Sequence, residues 1–217
     1  MIISPGRGYI FVHIPKTGGT SMARALEARA QRDDILIGDT PKARRRRSRL
    51  RALAPRGRLW KHSTLADIDG VLTPAEIAGL FTFTLVRNPW DRMVSYYHWL
   101  RVQEFDHAAV KLAKLTDFCG FVMDPDTATS LRRQTYVSYM CDIEGAEQAS
   151  AYLRLEHLEA DMAPLVALLG FVPEIPRDNR SPDRARDYRA HYTAITAERV
   201  ADICDTDIAR FGYQFDG

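Results

Sequence analysis

The chain has 217 residues, 46% of them hydrophobic and 27% charged, with a net charge of +2. That suits one globular domain large enough to bury its own core. Three scattered cysteines with no CxxC pair argue against a disulfide framework or a zinc site and for a reducing, cytoplasmic compartment. The opening MIISPGRGYIFVHIPK is too short in apolar residues for a signal peptide, and no run approaches the ~18 apolar residues of a membrane span.

In chain order, residues 9–14 read YIFVHI, a continuous apolar run that predicts a strand buried on both faces. Gly18 and Gly19 break it. Thr20 or Ser21 then caps a helix running to about Gln31, with Met22, Ala25 and Leu26 facing inward. Residues 30–58 form a basic insertion that its composition leaves free to be mobile. Nine basic residues, from Lys42 through Arg44, Arg45, Arg46, Arg47, Arg49, Arg51 and Arg56 to Arg58, carry no acid among them, which leaves the rest of the chain at −7. Such a run is either a solvated segment or a landing surface for a polyanion, namely an acidic glycan, an anionic lipid or a nucleic acid.

Thr73 to Glu76 forms a capping box that opens a short helix to Leu80. FTFTLV at 81–86 predicts a second strand. Asn88 caps the helix that follows it, with Pro89 at the first helical position. Residues 107–123 and 129–141 are helical by pattern. Ala151 to Leu155 is a strand, and Glu156 to Leu169 a helix stopped by Gly170. A proline-rich loop and two helices, about 184–192 and 196–210, complete the chain. Strands alternate with helices, which gives an α/β class with a mostly parallel sheet. With no repeat and no linker, residues 1–217 read as a single domain.

Two stretches carry chemistry. PKTGGTS leaves a buried strand and enters a helix, where free N–H groups and the helix dipole favour an anion. Gly18 and Gly19 allow close backbone approach. Thr17, Thr20 and Ser21 add hydroxyls, and Lys16 adds a charge. The plainer alternative is an ordinary βα turn. A nucleotide loop of Walker type places its lysine after the glycines and a hydroxyl on Mg²⁺. Here the lysine comes first, and the second strand ends LVRNP rather than in an acid. The loop therefore suits a phosphate or sulfate ester without an obligatory metal. In RNPWDRMVS, Arg87 is a natural bidentate partner for a second phosphate, and Ser95 lies two turns along the helix. Alternatively, Arg87 caps the helix or pairs with Asp91.

HIPKTGGTS followed by LVRNPWDRMVSYY resembles the sulfotransferases that use 3′-phosphoadenosine-5′-phosphosulfate (PAPS), in the branch of carbohydrate O-sulfotransferases and bacterial members. Lys61-His62-Ser63, LRLEHLEADM, DNRS and DIARFGYQF are similar to stretches at comparable places. The resemblance implies a P-loop-like three-layer α/β/α domain with a mostly parallel central sheet. It implies that Lys16 sits at the bridging oxygen of the phosphosulfate and that Thr17, Gly18, Gly19, Thr20 and Ser21 hold the 5′-phosphate. Arg87 and Ser95 would take the 3′-phosphate, with Arg180 as a further nucleotide contact. The acceptor would be a hydroxyl of a glycan or glycolipid, with no metal required.

A general base must remove the acceptor proton. His62, in the strand-like piece LWKHS, fits that role, and related enzymes use a His or Glu from this region. His13 abuts the loop, but strand alternation reads it as a core histidine. His98 sits among aromatics and reads as packing, and Glu156 reads as a cap. His107, His157 and His191 lie on predicted helices without a partner pattern. No metal motif occurs, and the arginine run lacks the interleaved aromatics of a nucleic-acid surface. The run from Arg44 to Arg51 is the candidate contact to an acidic glycan or membrane surface. Readings from other classes are a metal-dependent nucleotide kinase and a non-catalytic polyanion-binding module.

Overall fold

The computed structural model describes residues 1–176 and 187–216. In chain order its regular elements begin with β1 (Ile2–Ser4), β2 (Tyr9–Val12), α1 (Gly19–Ala28), β3 (Ile35–Leu36), α2 (Pro41–Arg46), α3 (Pro74–Ala78) and β4 (Phe81–Val86). Next come α4 (Pro89–Arg101), α5 (Ala108–Leu115), α6 (Phe118–Met123) and α7 (Pro125–Arg133). The chain continues through β5 (Ala151–Arg154), α8 (Leu158–Asp161), α9 (Ala163–Leu169), α10 (Ala194–Ile203) and α11 (Asp205–Phe211). It divides into two compact units: Met1–Val86 with Tyr136–Asn179, and Arg87–Thr135 with Arg180–Gly217.

The first unit holds a mixed α/β sheet of order β3-β1-β2-β4-β5 among the described residues. β2, β4 and β5 are parallel neighbours, with Phe11 opposite Phe83 and Leu85 opposite Leu153. β1 pairs antiparallel with both β2 and β3. All four residues of β2 are buried, as are the last five of β4, so the apolar runs are central strands covered on both faces. Thr84 tolerates this because its hydroxyl donates to the Val12 carbonyl at 2.8 Å. Tyr9, Phe11, Phe83, Met22, Leu26, Leu153 and Leu165 pack into one core.

β1 and β3 escape the sequence reading because they are only three and two residues long. The other predicted strands match, apart from Trp60 to Ser63, which is a turn rather than strand-like. The predicted helices over 107–123, 156–169 and 196–210 are each interrupted. Asp117, for example, starts α6 afresh by accepting from the Gly120 N–H at 2.8 Å, because short polar side chains restart a helix in mid-pattern. The helix expected over 129–141 begins at Pro125 and ends at Arg133, with a 3₁₀ turn over Val137–Tyr139. The capping box at Thr73 and Glu76 forms as expected. Gly170 ends α9 at φ 72°.

The basic segment is folded. Lys42 donates to the Glu27 carbonyl. Arg46 reaches the Gln31 carbonyl at 2.6 Å, and Arg49 the Arg32 carbonyl at 2.6 Å. Cations thus meet carbonyls at and just beyond the end of α1, where the helix dipole is negative. Arg44, Arg45, Arg47 and Arg51 are exposed. The run therefore divides into a structural face and a solvent face.

The second unit packs Trp90, Met93, Tyr97, Phe118, Phe121 and Val200 into its own core. Asn88 caps α4, accepting from the Trp90 N–H at 3.1 Å while donating to the Gln214 carbonyl at 2.9 Å. The Trp90 indole donates to the Ala197 carbonyl at 2.9 Å. RNPW and the terminal FGYQF are thus tied together by hydrogen bonds. Among the described residues no helix is long and apolar enough to cross a membrane.

Candidate active site

The loop after β2 turns through two left-handed residues, Lys16 at φ 67° and Gly18 at φ 89°. Gly18 meets this at little cost; Lys16 is a side-chain residue in a strained conformation, a feature that clusters at ligand sites. The Thr17 hydroxyl is fully buried and donates to the Ile14 carbonyl at 2.9 Å, which locks the turn. Gly18, not Thr20 or Ser21, is the N-cap of α1, and no side chain caps it. A left-handed cap carries the chain in so that Thr20 and Ser21 are already helical. Among the described residues their hydroxyls have no partner. The first turn of α1 thus keeps backbone N–H groups without intrahelical partners, beside two free hydroxyls.

Gly19 has a second reason to be glycine. A Cβ there would lie 2.0 Å from Cδ2 of His13. The His13 ring is buried against the loop, stacked at 6.1 Å on Phe11. The His62 ring meets it edge-on at 4.6 Å, and the Trp60 indole meets His62 at 4.9 Å. A file of rings therefore runs from the core through His13 and His62 to Trp60, which is 42% exposed.

His62 Nδ1 lies 2.7 Å from the main-chain oxygen of His13. A carbonyl can only accept, so Nδ1 carries the proton and Nε2 keeps its lone pair. Burial pulls the His62 pKa down to about 4 and that of His13 well below its ordinary value. Both imidazoles are neutral at pH 7. The turn carrying His62 is fixed by Ser63, whose fully buried hydroxyl accepts from the Trp60 N–H at 2.9 Å and lies 2.8 Å from the Arg58 carbonyl.

Beside these rings is a small depression lined by His13, Thr20, Glu27, Asp39, Thr40 and Lys61. Lys61 pairs with Asp39 at 2.7 Å. The Thr40 hydroxyl donates to the Glu27 carboxylate at 2.6 Å, and burial pushes the Glu27 carboxyl up.

In the second unit, Arg87 is buried, and Nε reaches Oδ2 of Asp91 at 2.7 Å. Asp91 and Ser95 lie one turn apart on α4, and Arg87 stands just before the N-cap Asn88. The pairing with Asp91 occurs, and it fixes the guanidinium orientation. Arg180 lies outside the described residues. Glu156 is exposed in a 3₁₀ turn. His98 packs against Tyr97 and His191 at 5.4 and 4.9 Å, and His107 caps α5. Among the described residues no group of three His, Cys, Asp or Glu side chains could hold a metal ion.

The sequence places Gly19 in the 5′-phosphate loop but gives no role to Trp60 and none of its own to Ser63. Gly19 counted only as a backbone-approach glycine, since nothing local reveals that a ring fills its Cβ space. The KHS triplet was the available signal for Ser63. No curated protein matches the chain. The sequence profile of the sulfotransferase family matches residues 1–214, nearly the full length and including both the loop at Lys16 and RNPW, and the chain belongs to the sulfotransferase family.

Proposed function

We propose that the protein transfers a sulfuryl group from PAPS to a hydroxyl of a carbohydrate acceptor, in a P-loop-like three-layer catalytic domain. The observation that carries this reading is the contact between Gly19, at the start of α1, and His13, whose carbonyl holds His62. It joins an anion loop to an oriented neutral imidazole. The uncapped first turn and the partnerless hydroxyls of Thr20 and Ser21 suit the 5′-phosphosulfate group. Arg87 and Ser95 are assigned the 3′-phosphate; the support is the family match and their nearness in the chain, Arg87 just before the N-cap of α4 and Ser95 in its second turn.

In the reaction, Nε2 of His62 takes the acceptor hydroxyl proton as the oxygen attacks sulfur. The bond between sulfur and the bridging oxygen breaks in line. The bridging oxygen leaves with adenosine-3′,5′-bisphosphate. Lys16 and the loop N–H groups meet the charge that develops on it. A depressed pKa makes His62 a weak base, but one that is fully deprotonated at working pH.

Incubation with labelled PAPS and a panel of saccharides tests the reading. Label should pass to a saccharide without added Mg²⁺, and His62→Ala should lower turnover by about 10²–10⁴-fold. Failure of every hydroxyl acceptor while PAPS binds would contradict it.

A further inference from the structure

The ring file ends on an exposed indole, and that end is built rather than incidental. Trp60 sits on a turn pinned through its own N–H to the buried Ser63 hydroxyl. The indole stands nearly perpendicular to the His62 ring, with centroids 4.9 Å apart. The Arg58 guanidinium lies 5.5 Å from the indole centroid. Among the described residues Arg58 has no acidic partner, whereas its neighbour Arg56 pairs with Asp69 at 3.1 Å. An aromatic surface, a cation without a counter-ion and the candidate base thus stand in one row.

We propose that Trp60 and Arg58 form the acceptor platform and that it takes an anionic saccharide. This rests on the sulfotransferase reading above. The exposed part of the indole covers the apolar face of a sugar ring, and Arg58 receives the carboxylate or sulfate of that unit. A hydroxyl of the same or the adjoining unit then meets Nε2 of His62. The exposed Arg44 and Arg45 of α2 and Arg47 just after it extend positive charge elsewhere on this unit, as a chain of several acidic units would use. A neutral sugar would find the aromatic surface but leave Arg58 unanswered.

Calorimetry on the full chain, saturated with adenosine-3′,5′-bisphosphate, tests the platform. The probes are a glucuronate-bearing disaccharide and its methyl ester. The acid should bind at least about tenfold more tightly than the ester. Arg58→Ala should erase that preference, and Trp60→Ala should abolish binding of both. Trp60→Phe should retain part of it, and the bisphosphate titration should be unchanged in all three variants. Equal binding of acid and ester, or undiminished binding by Trp60→Ala, overturns the platform while leaving the donor assignment standing. Tight binding of anionic vesicles lost in Arg58→Ala, with no disaccharide binding, also overturns it, since the partner would then be a membrane. If the bisphosphate itself does not bind, the donor assignment falls and the platform with it.

Discussion

His62 Nδ1 lies 2.7 Å from the main-chain oxygen of His13, and His13, which holds it, belongs to the segment that runs directly into the anion loop. A candidate base and a candidate phosphate cradle are therefore parts of one rigid construction. The contact also decides the tautomer, leaving Nε2 as the acceptor of a proton.

This contact predicts the pH dependence. With the His62 pKa at about 4 rather than 6.5, the acid limb of kcat/KM should fall near pH 4, and the rate should stay flat between pH 5.5 and 7. A limb near 6.5 would show an exposed histidine at work. Stability follows the same sign. The folded value is depressed, so this contribution is complete above 6.5 and declines as pH falls toward 4, where only the unfolded chain binds the proton. Urea midpoints at pH 7 and pH 5 should separate the wild type from His62→Gln, with the wild type losing more on acidification.

Gly19→Ala should destabilise the fold by about 1–3 kcal/mol, because a Cβ cannot coexist with the His13 ring. Combining it with His13→Ala should cost less than the two separate losses together, since the clash disappears. Strict additivity in denaturant unfolding would place the strain elsewhere.

The basic segment should respond in two ways. Arg46→Ala removes a cation from the Gln31 carbonyl and should cost about 1–2 kcal/mol. Replacing Arg44, Arg45, Arg47 and Arg51 together by alanine should leave the thermal midpoint within about 2 °C. A large loss in the quadruple variant would contradict the division into two faces.

Arg154 and Asp161 form a fork, at 2.9 Å from Nε and 2.9 Å from Nη2, and the Arg154 N–H adds a third bond at 2.9 Å. The arginine holds the Asp161 carboxyl below its ordinary 3.8. That stability is present above 3.8 and is lost as pH falls through the lower folded value. Asp161→Asn should cost about 1–3 kcal/mol at pH 7, and this loss should shrink when unfolding is repeated at pH 3.

The two long strands and the caps at Thr73, Asn88 and Gly170 were legible because each depends on residues within one turn or one strand. FTFTLV is apolar or hydrogen-bonded wherever it is read, and Asn88-Pro89 can only start a helix. The Lys16 loop was legible for the same reason. What escaped depends on contacts far apart in the chain. β3 owes its two residues to pairing with β1 across more than thirty positions. The partners of Arg46 and Arg49 are carbonyls near residue 31, so nine basic residues looked like one uniform run. His13 was rightly read as a core residue, yet its role as the holder of His62 rests on a carbonyl, which has no sequence signature.

The most direct test is a calorimetric titration of adenosine-3′,5′-bisphosphate into the protein without Mg²⁺. The bisphosphate should bind in the micromolar range, and Arg87→Ala should weaken it by about 2–5 kcal/mol. Absence of binding at tens of micromolar, or binding of ATP only when Mg²⁺ is present, would contradict the assignment of the loop at Lys16 and of Arg87 to PAPS.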